Sequence, residues 1–124
     1  MGEHLESKTN IRELKEKVRV FCEERDWDQY HGAKDLSIGI ITESAELLEH
    51  FRFKSESQVE VMMKDPKKRE EISEEMADVF CFLLRMAQRY DINLAEALDK
   101  KMEKNRVKYP VVKAKGLNRK YNEL

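Results

Sequence analysis

From Asp65 to Tyr90 the chain carries one continuous helical pattern, and this segment leaves the fewest folds open. Asp65 is a good N-cap, and Pro66 stands at the first helical position, where a missing N–H costs nothing. Between Met76 and Ala87 only Asp78 and Arg85 are charged. With Asp78 at 0° on a helical wheel, Val79, Leu83, Met76, Ala87, Phe80 and Leu84 fill an arc from about 100° to about 240°. A helix this apolar belongs at the centre of a bundle. Asp78 is then partly buried, with Glu75 and Phe82 on its own face.

Three further helices are expected. One runs from about Ile11 to Arg25, opened by an Asn10/Glu13 capping box and striped by Leu14, Val18 and Phe21. Asp26 to Lys34 reads as a loop holding Trp27, Tyr30, His31 and Gly32. A second begins after Asp35, taken as its N-cap, and reaches about Phe51. Its apolar arc is Leu36, Ile40, Leu47, Phe51, Leu48 and Ile41. Residues 52–64 are mixed and accommodate a short helical turn. A last helix starts at Asn93, capped with Glu96, and stops before Tyr109-Pro110. The basic tail from Val111 lacks periodicity and reads as an arm. Only 4 Gly and 2 Pro interrupt 124 residues, which fits a single all-α domain of four-helix-bundle type. Its core spans about 10–110 and its C-terminal arm 111–124.

Two acidic pairs stand out against this background: Glu43-Ser44-Ala45-Glu46 and Glu75-Met76-Ala77-Asp78. Each is spaced i, i+3, so both carboxylates project from one side of a helix. Each borders an apolar arc, where charge is costly unless neutralised. Acid pairs such as Glu23-Glu24 and Glu70-Glu71 are solvated surface. Two pairs at the edge of the core on consecutive helices would instead make a four-carboxylate cage. Gly39, one turn before Glu43, leaves room for a ligand or a neighbouring helix.

The donor set narrows the metal. Di-iron bundles use Glu-x-x-His, whereas His50 follows Glu46 by four, and His4 and His31 lie outside the two central helices. Zinc prefers His or Cys, and no Cys-x-x-Cys occurs; Cys22 and Cys81 read as buried free thiols. All-oxygen ligation points to Mg²⁺, with Mn²⁺ as a substitute. Mg²⁺ commonly shares its shell with substrate phosphates, so a phosphate ester or nucleotide is the implied substrate class. Lys101, Asn105, Arg106 and Lys108, at the end of the last helix, could clamp a triphosphate, or simply complement the helix dipole. Trp27, beside His31, together with Phe53 and Phe82, could stack on a base, or simply pack. A net charge of −1 argues against binding a nucleic acid polymer. The absence of an apolar signal or membrane-length run gives the expectation of a soluble cytoplasmic protein with no membrane partner.

These residues together resemble the MazG-like all-α nucleoside triphosphate pyrophosphohydrolases, whose motif is E-x-x-E followed by E-x-x-D. The dCTP pyrophosphatase subgroup is the more similar. The resemblance rests on Glu24-Arg25-Asp26-Trp27, Tyr30-His31, Glu43 to Phe51, Glu74 to Val79, Lys101 to Arg106 and Tyr109-Pro110. It spans roughly residues 10–113. It implies conversion of a dNTP, dCTP or a modified dCTP, to dNMP and pyrophosphate in nucleotide-pool housekeeping. It implies Mg²⁺ on Glu43, Glu46, Glu75 and Asp78, with Glu43 or Glu46 activating water. It also implies Trp27, His31, Phe53 and Phe82 around the base, and Lys101, Asn105, Arg106 and Tyr109 toward sugar and phosphates. The subgroup often has Trp where Phe53 stands and Tyr where Phe82 stands, so the base preference stays open. The family's assembly implies a homodimer or dimer of dimers, with sites completed by a second subunit. Two other readings are a catalytically silent nucleotide-binding regulatory module and a helical interaction protein whose acids form a wet seam.

Overall fold

The computed structural model describes the backbone of residues 2–124 and the side chains of residues 5–124. The side chain of His4 lies outside the described residues. The described residues form seven α-helices: α1 (Gly2–Lys8), α2 (Ile11–Glu24), α3 (Ala33–Glu49), α4 (Glu56–Lys64), α5 (Pro66–Arg89), α6 (Leu94–Lys108) and α7 (Val111–Ala114). Short 3₁₀ turns occupy Asp28–Tyr30 and Tyr121–Glu123. The chain divides into two compact units, Met1–Asp91 and Ile92–Leu124.

Local chemistry explains most of the boundaries. The side chains of Asn10, Asp65 and Asn93 each accept from the backbone N–H three residues on, as capping requires. At Asn10 the box is altered: Glu13 takes its second bond from the Asn10 side-chain amide, at 3.2 Å. Asp35 is not the N-cap of α3. That helix starts two residues earlier, behind an extended Gly32, and Asp35 sits in its first turn, where an acid favours the dipole. The Tyr90 hydroxyl accepts the Ala33 N–H at 2.7 Å, so a residue from the far end of α5 meets a need of the α3 terminus. Residues 52–64 hold more than a turn. Ser55 and Gln58 form a complete capping box that starts the nine-residue α4.

In the first unit α5 is the hub, packed by α3, α2 and α4. Its core consists of Cys22, Leu36, Met62, Ile72, Leu84 and Ala87, with Leu36 fully buried. The α3–α5 pair is antiparallel, and its register can be read from successive contacts. Ala33 meets Tyr90, Ser37 meets Met86 at 3.9 Å, and Gly39 meets the Phe82 ring. Glu43 then meets Asp78, and His50 meets Glu75 at 3.8 Å. A Cβ on Gly39 would fall 2.5 Å from a Phe82 ring carbon. Glycine is therefore what lets α5 approach, and the space at Gly39 belongs to a neighbouring helix.

The expected apolar arcs are only half used within the chain. Ile41 and Leu48 of α3 are exposed, with Ile38 beside them, and so are Met76, Phe80 and Leu83 of α5. Phe21 is not core either. It carries the Arg25 guanidinium on its face and the Trp27 ring at its edge. In the second unit, α6 ends where the Tyr109 N–H returns to the Asn105 carbonyl, at 2.8 Å. The arm is ordered into one α-turn and a 3₁₀ turn, and its Tyr121 ring lies against Tyr109 and under Lys108.

Candidate metal and nucleotide site

The antiparallel register brings the two acidic pairs face to face. One oxygen each from Glu43, Glu75 and Asp78 lies within 4.8 Å of the others. Asp78 is exposed rather than partly buried as its place on the helical wheel suggests, because its face of α5 is left uncovered within the chain; Glu46 stands outside the tight trio and is exposed too, yet its charge bears on both Glu43 and Glu75. Burial is the main cause of the altered acidity. Loss of water pushes the Glu43 carboxyl up to about 6, and Glu46, Asp78 and Glu75 add to the effect in that order. Glu75 is raised for the same first reason, helped by Glu46 and Asp78 and opposed by His50.

Two oxygens carry the test of whether a cation fits. Glu43 Oε2 and Glu75 Oε2 are buried and have no hydrogen-bond partner among the described residues. An unpaired buried carboxylate oxygen is expensive. Two of them, on residues of one cluster of like charges, suit a hard cation bound through oxygen. Imidazole is not part of the cluster: His50 Nε2 lies 3.8 Å from Glu75 Oε1. Neither thiol belongs to it; Cys22 is buried, Cys81 half-buried, and both are free.

Of the aromatic candidates, Trp27 and His31 come together, with ring centroids 6.1 Å apart and edge to face. Phe82 lies one turn beyond Asp78 on α5, pressed on Gly39. Phe53 stands apart in character. It is 92% exposed and holds a left-handed backbone at φ 65°, which a bulky side chain rarely adopts. The Arg52 guanidinium covers one face of its ring, at 4.5 Å. The other four candidates belong to the second unit. Lys101 is exposed, Asn105 is half-buried, Arg106 is ion-paired to Glu103, and Tyr109 packs on Tyr121.

One residue that sequence reasoning passed over is central to the first unit. Arg85 is 1% exposed, the one charged side chain buried among the described residues. Its guanidinium is ion-paired to Asp28 and donates to His31 Nδ1 at 2.9 Å and to Gln88 Oε1 at 2.6 Å. Arg89 supports Asp28 from 3.6 Å. Arg85 thereby ties the Trp27–His31 loop to α5. The only sequence signal was a charge interrupting an apolar run, one helical repeat after Asp78.

The chain is 36% identical over 104 residues to dCTP pyrophosphatase 1 of Mus musculus, covering 84% of this chain and 61% of that protein. It is 30% identical over 118 residues to dCTP pyrophosphatase 1 of Bos taurus, covering 95% and 70%. The chain thus spans about three fifths of the length of the first of these curated relatives. Among solved structures, a pyrophosphatase from Archaeoglobus fulgidus matches with a TM-score of 0.75 and 39% identity, over 80% of this chain and 91% of that one. The MazG-like family model matches residues 38–124, a stretch that contains all four acids of the paired motif. The chain belongs to the MazG-like family.

Proposed function

We propose that this protein is a Mg²⁺-dependent nucleoside triphosphate pyrophosphohydrolase that converts a dNTP and water to dNMP and pyrophosphate. The observation that carries the reading is the carboxylate cluster at the α3–α5 seam, with its two buried, unpartnered oxygens. The relatives' names favour dCTP as the substrate; a modified dCTP is the alternative within the same proposal.

In this reading Glu43, Glu75 and Asp78, joined by Glu46, hold the metal. When bound, Mg²⁺ supplies charge neutralisation and Lewis-acid polarisation at the phosphates. Glu46, which stands outside the tight trio, would take a proton from the attacking water on a carboxylate oxygen. Glu43 is the other candidate for that role. Trp27, His31, Phe53 and Phe82 contact the base. Asp78, Phe82 and Arg85 follow at i, i+4 and i+7 on α5, so acid, ring and loop anchor share one face over about 10 Å. Lys101, Asn105, Arg106 and Tyr109 supply contacts to sugar and phosphate, offsetting charge on the leaving pyrophosphate.

The same proposal includes a homodimer or dimer of dimers. Ile38, Ile41 and Leu48 on α3 and Met76, Phe80 and Leu83 on α5 form exposed apolar stripes at helical spacing, the kind of surface a second copy covers. It also includes a cytoplasmic setting, consistent with two free thiols; no helix among the described residues is long and apolar enough to cross a membrane.

The test is turnover of a dNTP panel by the purified protein with Mg²⁺, reading pyrophosphate. Release from dCTP or a modified dCTP, abolished in Asp78→Ala, is expected. Folded protein that releases no pyrophosphate from any nucleotide refutes the reading. Tight Mg²⁺-nucleotide binding without turnover would replace it with the silent regulatory module.

A further inference from the structure

The buried guanidinium of Arg85 does more than anchor a loop. A guanidinium has donors only, so the nitrogen it faces must be bare. Arg85 Nε–H donates to His31 Nδ1 at 2.9 Å, which leaves the imidazole proton on Nε2. No hydrogen bond among the described residues occupies that Nε2. The ring is half-buried and stands edge to face with Trp27.

We infer that Arg85 is a positioning residue that locks His31 as a neutral, Nε2-protonated imidazole, so that a ligand reaching the Trp27–His31 pair meets a hydrogen-bond donor and is selected for an acceptor, such as a nucleobase carbonyl or bare ring nitrogen. The ligand class rests on the proposed function; the tautomer does not.

The surroundings of His31 favour the same state. Arg85 and Arg89 of α5 face it as cations, and Asp28 of the loop and Asp35 of α3 face it as anions. Burial and the Arg85 charge outweigh the two acids and hold the imidazole below the ordinary histidine range. Arg85 itself is compensated by Asp28 and by its neutral acceptors, as a buried cation must be. A merely structural loop anchor would need neither a histidine at this place nor a fixed proton on it.

The deciding experiment is long-range ¹H–¹⁵N correlation spectroscopy of the His31 ring, assigned with His31→Gln, in wild type, Arg85→Leu and Arg85→Lys. In wild type near pH 7.5 the expected pattern is the Nε2–H tautomer alone. In Arg85→Leu the two tautomers mix and the ring titrates at higher pH. In Arg85→Lys, where an ammonium can still donate, the wild-type pattern is largely kept. Kinetics give the second arm: KM for the preferred dNTP rises about tenfold in Arg85→Leu, about the worth of one hydrogen bond, with kcat little changed. A wild-type ring that is Nδ1-protonated or cationic overturns the inference. So does an Arg85→Leu ring with the wild-type pattern, or a loss confined to kcat. If Arg85→Leu fails to fold, the wild-type tautomer and Arg85→Lys still decide. Absence of turnover in wild type would count against the proposed function and leave the tautomer measurement standing.

Discussion

Replacing Glu43 by Gln should stabilise the metal-free protein, because the native carboxyl is held where its charge is unwelcome. Folding raises it from 4.5 to about 6, mainly by burial. A carboxyl that binds its proton more tightly when folded contributes stability that is fully present below about 4.5 and lost as pH rises through about 6. At pH 7.5 the folded chain bears the whole penalty, which at full value is about 2 kcal/mol. The side chain is only half-buried, so solvent screening reduces this to roughly 1 kcal/mol. For a domain of this size that equals a Tm shift of about 3–5 °C. Thermal melts followed by circular dichroism in chelator would read it. Glu43→Gln should melt higher than wild type at pH 7.5, and the gap should close toward pH 4.5. Mg²⁺ should then raise wild type more than the variant, because the removed charge is part of what the ion neutralises. A variant that melts below wild type in chelator at pH 7.5 would refute the reasoning, as would a gap that does not change with pH.

Other outcomes follow from the packing. Gly39→Ala should cost about 1–3 kcal/mol through collision with the Phe82 ring, and Phe82→Leu in the same chain should recover part of it in urea melts. Phe53→Gly should raise stability by about 1 kcal/mol by relieving the left-handed backbone, while KM for the dNTP rises; unchanged KM would remove Phe53 from the slot. Leu36→Ala, at a fully buried site, should cost about 2–5 kcal/mol in the same melts. Ser55→Ala should lower stability by about 1 kcal/mol and speed amide exchange in the first turn of α4.

What the sequence makes legible depends on how local the cause is. The Asn10, Asp65 and Asn93 caps act on an amide three residues away, so reading them needs no tertiary knowledge. Ser55 and Gln58 send an equally local signal, overlooked because the residues around them lack an apolar stripe. The start of α3 was misplaced because its first amide is satisfied by Tyr90, 57 residues away. Arg85 fails for the same reason: its partners Asp28 and His31 lie across the fold, and one-dimensional periodicity shows only a charge interrupting an apolar run. The acidic pairs were legible as residues, and Gly39 hinted at close approach. That three of the four acids meet in a tight trio while Glu46 stands beside it follows from the helix register alone. The wide apolar arcs on α3 and α5 overstated the core, since periodicity cannot tell a surface covered by the same chain from one left open.

The antiparallel α3–α5 seam also works as a ruler. Each turn gained along α3 is answered by a turn given back along α5, so position in the sequence maps onto distance along the seam in steps of about 5.4 Å. The acids mark one end, Gly39 and Phe82 the middle, and the Arg85-pinned loop the other end. Refitting this scaffold to a longer or shorter ligand would mean moving the Gly39–Phe82 contact or the loop anchor by a whole turn on both helices together. A shift on one helix alone would leave acid, ring and anchor out of step.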